Sequence, residues 1–129
     1  MVTATKIGLL HKLKQTYGLT NMPAKWIGLD GDASAESAAQ QAPAQELTSG
    51  GCGRVEAIVT DVSTSSDIAV QLEASYEFTA YNSINAYFVA WSPSPGNNMT
   101  ARHKLSSTQN VGPEDTMTIK FIDHEVAAQ

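Results

Sequence analysis

Residues 68–78 read IAVQLEASYEF, and this stretch decides the fold. Apolar residues alternate with polar or small residues throughout, which is the period of a strand that buries one face. A slip of one residue would bury the charges, so the register is strongly specified. The expected core face carries Ile68, Val70, Leu72, Tyr76 and Phe78, and the expected solvent face carries Gln71, Glu73 and Glu77.

The segments on both sides of this strand carry further strand signals. Residues 84–91 are apolar on both faces, as in a central strand, and turn-forming residues follow at 93–98 and 112–113. The other predicted strands are 25–29, 54–62, 99–106 and 116–124. We therefore predict a mainly β fold, an antiparallel β-sandwich of about six to eight strands with one short N-terminal helix.

The helix is predicted over residues 5–17. Its apolar residues recur at helical spacing, and Thr3 or Thr5 can cap its start while Gly18 can end it. The spaced apolar residues are Ile7, Leu10, Leu13 and Tyr17. We expect this face to lie on the sheet, with a membrane-surface or docking helix as the alternative.

A surface arm is predicted at about 31–50, within a single domain that spans residues 1–129. Its section 33–44 contains six alanines and no large hydrophobic residue, so we expect a loop with one helical turn around 36–41. Ordering such a segment costs about 1 to 2 kcal/mol per residue in backbone entropy, with little burial in return. A neighbouring copy could supply the missing contacts.

Composition narrows the classes of partner. The 129 residues contain 8 Lys and Arg against 13 Asp and Glu, for a net charge of −5, which disfavours binding to a phosphate backbone. No apolar run approaches the roughly 20 residues that span a bilayer. Lys6 interrupts the N-terminal apolar run, and we expect a protein made in the cytoplasm without a signal peptide. The expected partners exclude nucleic acid and membranes.

The sequence motifs that could support catalysis or metal binding are incomplete. Residues 30–34, DGDAS, resemble the opening of a calcium loop, but the sixth position is Ala35 and the twelfth is Gln41, where Gly and Glu are needed. Cys52 lies among glycines, as expected of a turn, and the three histidines lie in separate elements. We predict no catalytic residue, no cofactor and no metal site.

The order of these features resembles small virion structural proteins of tailed bacteriophages, of the tail-fibre, minor tail or head-decoration type. A helix is followed by the strand and turn 26–32, an Ala- and Pro-rich arm, Glu46-Leu47, Gly50-Gly51 and Arg54, and then by 84–91 and 96–102. Bulky Phe88 stands where the resembling proteins often have glycine.

The resemblance implies a non-enzymatic structural component of a virion, either capsid decoration or tail-associated. Its partners would be other copies of itself, as a homo-oligomer, and other virion proteins. The alternative is a carbohydrate-binding or host-adhesion module, because Tyr87 or Trp91 could stack on a host glycan. Core packing is the simpler expectation for Tyr81, Tyr87 and Trp91, and a protein–protein or sugar-stacking contact is the other.

Two groups of residues are assigned roles. The candidate interface residues lie in the arm and in the loop that follows residues 84–91, and they are Ala35, Ala39, Pro43, Trp91, Pro93, Pro95, Asn97 and Asn98. Arg54 and Arg102 are expected to be structural, pairing with carboxylates such as Glu46 or with carbonyls at a strand end.

Overall fold

The computed structural model of the chain describes residues 2–125. One helix and nine strands make up the regular structure of this part, with the helix near its N-terminus. The elements are β1 (Val2–Ala4), α1 (Lys6–Thr16), β2 (Trp26–Asp30), β3 (Glu46–Leu47), β4 (Val55–Glu56), β5 (Ile58–Asp61), β6 (Ile68–Glu77), β7 (Asn82–Ala90), β8 (Met99–Val111) and β9 (Thr116–Glu125).

The strands form two antiparallel sheets, as the predicted β-sandwich requires. The larger sheet has the order β1-β8-β7-β2-β3, and β4 also pairs with β2. The smaller sheet has the order β5-β6-β9. The predicted central strand is β7, which lies between β8 and β2, and its last five residues are all buried. The predicted fold class is confirmed.

The core lies between the two sheets. It joins Ile27, Leu29 and Val89 of the larger sheet to Leu72 and Tyr76 of the smaller one. The Tyr76 hydroxyl also donates a hydrogen bond of 2.6 Å to the Ile27 carbonyl, which ties the two layers together. Burial raises the pKa of this phenol, so the donor keeps its proton at neutral pH.

Phe88 is accommodated by a glycine on the neighbouring strand. Gly28 lies directly opposite Phe88 in the register of β2 and β7. A Cβ atom at Gly28 would come within 2.2 Å of the Phe88 ring, so the ring occupies the space that a side chain would need. Phe88 is completely buried. The strand pairing therefore tolerates a large residue at this position because its partner has none.

The strand predicted over 68–78 is β6, and most of its register is confirmed. Leu72, Tyr76 and Phe78 are buried, Val70 is half-buried, and Glu77 is exposed. Ile68 was expected in the core, but it is 52% exposed, so that part of the prediction is wrong. The remaining solvent-face residues, Gln71 and Glu73, are half-buried. Ile68 is the first residue of β6 and lies beyond Val70, the last residue of this face that packs against the core, so the core ends before it.

Two other strand boundaries differ from the prediction. The segment 54–62 forms two strands, because the buried Ala57 lies between β4 in the larger sheet and β5 in the smaller one. The Ala57 N–H donates to the Lys25 carbonyl at 2.7 Å, where the chain passes from one sheet to the other. The strand predicted over 99–106 continues to Val111, since its polar second half pairs with the start of β7.

The helix α1 begins and ends as predicted, but its expected buried face is wrong. The Thr5 hydroxyl accepts from the Gly8 N–H at 2.9 Å, and Gly18 takes a positive φ of 79° just after the helix. Gly8 and His11 are the buried helix residues, and the spaced apolar residues face outward or are half-buried. In residues 2–125, no helix is long and apolar enough to cross a membrane.

Candidate protein–protein interface

Arg102 is the centre of the network that holds the arm. Its side chain is buried on β8, and its Nε donates to the Asp30 Oδ2 at 3.0 Å. Its other two nitrogens donate to backbone carbonyls of the arm, Nη1 to Ser34 at 2.9 Å and Nη2 to Asp32 at 2.7 Å. A planar guanidinium can serve three acceptors at once. Arg102 thus has the structural position that the sequence predicts, tying a loop to a sheet.

Asp30 joins the two ends of the arm. Its carboxylate is fully buried at the end of β2. Its Oδ1 accepts from the Asp32 N–H at 3.0 Å and from the Gln45 N–H at 3.1 Å, so one oxygen holds residues on either side of the arm. The motif that resembles a calcium loop is therefore a turn whose first carboxylate is already engaged by Arg102 and two backbone amides.

The middle of the arm is fastened to α1 and β8. The carbonyls of Ala38 and Gln41 accept from the N–H groups of Lys6 and Met99, at 2.8 and 3.2 Å. The Glu36 carboxylate accepts from the Lys104 N–H at 2.8 Å, and this bond lowers the pKa of Glu36. The expectation that the arm finds few contacts on its own chain is wrong.

Polar bonds rather than apolar burial hold the arm. It therefore needs no large hydrophobic residue, and this is the physical reason for the failed prediction. The expected helical turn at 36–41 is absent as well, since the Gln40 N–H closes a tight turn on the Ser37 carbonyl at 3.1 Å. The Ser34 hydroxyl donates to the Asp32 carboxylate and lowers the pKa of that carboxyl.

Arg54 holds the loop 93–98 in a similar way. Its guanidinium makes two bonds to the Glu46 carboxylate, at 2.8 and 2.9 Å, so the pairing that the sequence predicts is present. Nη1 also donates to the Ser92 carbonyl at 2.8 Å and to the Asn98 side-chain oxygen at 2.6 Å. The guanidinium lies 4.9 Å above the Phe88 ring. Arg54 thereby connects β3, the loop and the larger sheet.

Five of the eight predicted interface residues are exposed, and the other three are half-buried. The exposed group consists of Ala35 and Ala39 in the arm and Pro93, Pro95 and Asn97 in the loop. The remaining three, Pro43, Trp91 and Asn98, are half-buried. Asn98 is engaged by Arg54, so it shapes the loop from within. Both segments therefore present small or rigid side chains on a fixed backbone.

The aromatic candidates are less available than the sequence suggests. The Trp91 ring stacks on the His11 ring with centroids 4.1 Å apart and planes 3° apart, so one face is covered by α1. Tyr87 is only 9% exposed and belongs to the core. Tyr81 is 85% exposed, just before β7. Of the three residues considered for stacking on a glycan, Tyr81 alone presents a largely free ring.

A largely exposed apolar surface lies on α1, although the spacing of its residues predicted that it would lie on the sheet. Residues of a helix advance by 100°, so Gly8 and His11 lie on one side while Leu10, Leu13 and Tyr17 lie on the opposite one. These three are 52%, 57% and 79% exposed. A Cβ atom at Gly8 would come within 2.4 Å of Thr100 on β8, so the helix approaches β8 through its glycine.

A signal for this orientation is present in the sequence. Thr5, Gly8 and His11 are spaced by three residues, and the structure buries all three. The His11 Nε2 bonds to the Met22 carbonyl at 2.6 Å, which also fixes the segment after α1. A small residue and a hydrogen-bonding residue at this spacing indicate close backbone contact. The spacing of Thr5, Gly8 and His11 therefore predicts the side of α1 that packs on the sheet better than the spacing of the leucines does.

The remaining reactive side chains lie apart from one another. Cys52 is buried in the core, where desolvation raises the pKa of its thiol. His124 pairs with Asp67 at 3.0 Å on the surface, and the His103 Nδ1 lies 4.0 Å from the Glu36 carboxylate. Among residues 2–125, no group of three or more His, Cys, Asp or Glu side chains is arranged to hold a metal ion.

Comparison with known proteins identifies no relative of this chain. The sequence matches no protein-family model, and no curated protein matches it.

Proposed function

We propose that the chain is a non-enzymatic structural component of a tailed-phage virion, either a capsid decoration or a tail-associated protein, that acts through protein–protein contacts. The observation that carries this proposal is the exposed apolar surface of α1. Leu10, Leu13 and Tyr17 are all more than half exposed on one side of the helix. Contiguous apolar surface of this kind marks interaction sites, because leaving it in water is unfavourable.

The fixed arm and loop support the same proposal. Arg102 fastens the arm and Arg54 fastens the loop 93–98 through hydrogen bonds within the chain itself. Binding through a surface that is already ordered avoids much of the entropy cost of association. The exposed alanines and prolines also add little side-chain entropy to that cost. These two segments are suited to contacts that repeat in an assembly.

The assignment to a virion is the finer part of the proposal and rests on the resemblance. The resemblance rests on the helix, the strand and turn at 26–32, the arm, and the order of Glu46 and Arg54. In the structure, these elements adjoin one another, since Glu46 pairs with Arg54 and Asp30 pairs with Arg102. The motifs that carry the resemblance therefore contain the residues that shape the candidate interface.

The test is the number of copies in purified particles. Particles are purified from a culture infected with the phage that encodes the chain, and labelled reference peptides count the chain by mass spectrometry. Hundreds of copies would indicate a capsid decoration or tail-tube component, and about three to a dozen would indicate a tail-tip or connector part. Absence of the chain from particles that retain full infectivity would refute the proposal.

The alternative function, a carbohydrate-binding module, is favoured by Tyr81. A largely exposed tyrosine can stack on a sugar ring. A glycan array probed with the wild-type protein and with Tyr81→Ala tests this alternative, and Tyr17→Ala is the matched control because Tyr17 is similarly exposed on α1. Binding that is lost only in Tyr81→Ala would favour the alternative, and an array without signal would count against it.

A further inference from the structure

His103, on β8, carries a buried nitrogen that has no hydrogen bond. Its Nδ1 is enclosed by the protein, and no other buried side-chain nitrogen or oxygen in the described part of the chain is left without a partner. Buried polar atoms are nearly always hydrogen-bonded, so an exception in a titratable ring calls for an explanation. The side chain as a whole is 27% exposed, and a proton can therefore reach the ring from solvent.

The Glu36 carboxylate faces this nitrogen from the arm. Its Oε1 lies 4.0 Å from the His103 Nδ1, which is about 1 Å too far for a charge-assisted hydrogen bond. The same oxygen accepts from the Lys104 N–H at 2.8 Å, and this bond lowers the pKa of the carboxyl. Glu36 therefore stays ionised in mildly acidic solution, where a histidine gains its proton.

Glu36 lies midway along the fastened part of the arm. The Ser34 carbonyl is held by Arg102, and the Ala38 carbonyl is held by the Lys6 N–H. Between these two points, the Glu36 side chain attaches the arm to β8. The exposed Ala35 and Ala39 of the candidate interface lie close to Glu36 in the sequence, so the attachment of Glu36 affects how firmly they are presented.

The other titratable groups around His103 come from three strands. Tyr87 of β7 lies opposite it with ring centroids 5.2 Å apart, and burial raises the pKa of this phenol, so Tyr87 stays neutral. Lys104 of β8 and Lys120 of β9 border the same cavity as His103, which has a volume of about 800 Å³. The two lysines oppose a positive charge on His103, and Glu36, the acidic residue that borders this cavity, favours it. β1 places an apolar residue opposite His103 in the register.

We propose that His103 and Glu36 form a pH-sensitive contact, which holds the arm to β8 more firmly when the His103 ring is protonated. A neutral imidazole has one nitrogen without a proton, and such an Nδ1 offers the carboxylate only a lone pair. Protonation makes both ring nitrogens donors, so Nδ1 can move closer and donate to Glu36. Glu36 then accepts from the Lys104 N–H and from the His103 ring at once.

The direction of the response follows from the form of His103 that makes the bond. The bond needs a charged imidazole, so it stabilises the attached arm in acid and is lost as the pH rises through the range in which the ring loses its proton. Histidine ordinarily titrates near pH 6.5, so the arm should be held more firmly at about pH 5.5 than at about pH 7.5. This response goes beyond the proposed function, because it belongs to a single copy of the chain.

Hydrogen exchange at pH 5.5 and pH 7.5, followed by nuclear magnetic resonance, tests the response. The Lys104 amide reports the bond to Glu36, and the Met99 amide reports the attachment of the arm at Gln41. After correction for the intrinsic effect of pH on exchange, the protection factor of Lys104 should be at least about tenfold higher at pH 5.5, and that of Met99 should rise with it. Ring nitrogen chemical shifts of His103 show whether protection follows protonation of this ring.

Two variants isolate the pair. His103→Gln keeps a polar side chain without a titratable ring, and Glu36→Gln keeps an oxygen that can accept from the Lys104 N–H but removes the charge. Each variant should abolish the difference in protection between the two pH values. Thermal unfolding checks that the variants fold, and either variant is sufficient if the other does not.

His124→Gln is the matched control. It removes another contact between a histidine and a carboxylate, the surface pair of His124 and Asp67 at 3.0 Å, so it should leave the response of the arm unchanged. The remaining histidine, His11, bonds to the Met22 carbonyl and stacks on Trp91. A response caused by His11 would survive in both His103→Gln and Glu36→Gln.

Three results would overturn the inference and leave the proposed function open. They are wild-type protection that is equal at the two pH values or falls in acid, a response that survives in His103→Gln or in Glu36→Gln, and a response that disappears in His124→Gln. The number of copies in particles is independent of these results. Absence of the chain from infectious particles would instead refute the proposed function and leave the response of the arm intact.

Discussion

Replacing Arg102 with lysine should loosen the arm while the sandwich stays folded. Lysine keeps the positive charge beside Asp30, but it lacks the fork that also reaches the Ser34 and Asp32 carbonyls. A hydrogen bond from a charged donor contributes about 1.5 to 3 kcal/mol, so losing two of them should cost about 3 to 6 kcal/mol. For a chain of this size, that loss corresponds to about 10 to 20 °C in the unfolding temperature.

Urea titration measures this loss, and hydrogen exchange locates it. The amides of Lys6 and Met99 donate to arm carbonyls, so their exchange should accelerate in Arg102→Lys, whereas the amide of Tyr76, in the buried middle of β6, should stay protected. Lys120→Arg, at an exposed position, is the control. Stability within about 0.5 kcal/mol of wild type, with unchanged exchange at Lys6 and Met99, would refute the assigned role of Arg102.

Two further predictions concern packing. Leu72→Ala should cost about 2 to 5 kcal/mol in a urea titration, because it removes a core side chain of β6, and a larger loss in Glu73→Ala would mean that the assigned faces are wrong. Gly8→Ala should destabilise the protein by about 1 to 3 kcal/mol despite the better helix propensity of alanine, because the added Cβ meets the backbone of Thr100. Gln15→Ala, at an exposed helix position, should be near neutral in the same assay, and equal stability of the two variants would contradict the close helix contact.

Alternation of residue types was sufficient to predict most of the sandwich. The register of β6 follows from it, since Leu72 and Tyr76 are buried and Glu77 is exposed. The central position of β7 follows from apolar residues on both of its faces. The prediction for Ile68 was wrong because alternation shows only which residues share a face of the strand. How much of that face is buried depends on the elements that pack against it, and their contact ends before Ile68.

The helix and the arm were harder to predict because their contacts connect residues far apart in the sequence. Asp30 and Arg102 are 72 positions apart, and no local pattern indicates that one is the partner of the other. For α1, the leucine spacing indicates which residues share a side, but it does not say which side meets β8. Gly8 decides that orientation through close approach to Thr100.

The chain has two arginines, and the side chain of each is buried where an irregular segment contacts the larger sheet. Burying an ion pair costs desolvation energy, and an apolar cluster often stabilises a fold as well or better. A guanidinium also fixes the direction of several carbonyls, which an apolar contact cannot do. Arg54 and Arg102 therefore determine the shapes of the loop and the arm more than they add to stability. That use of charge suits the proposed function, which depends on a fixed outline of the surface.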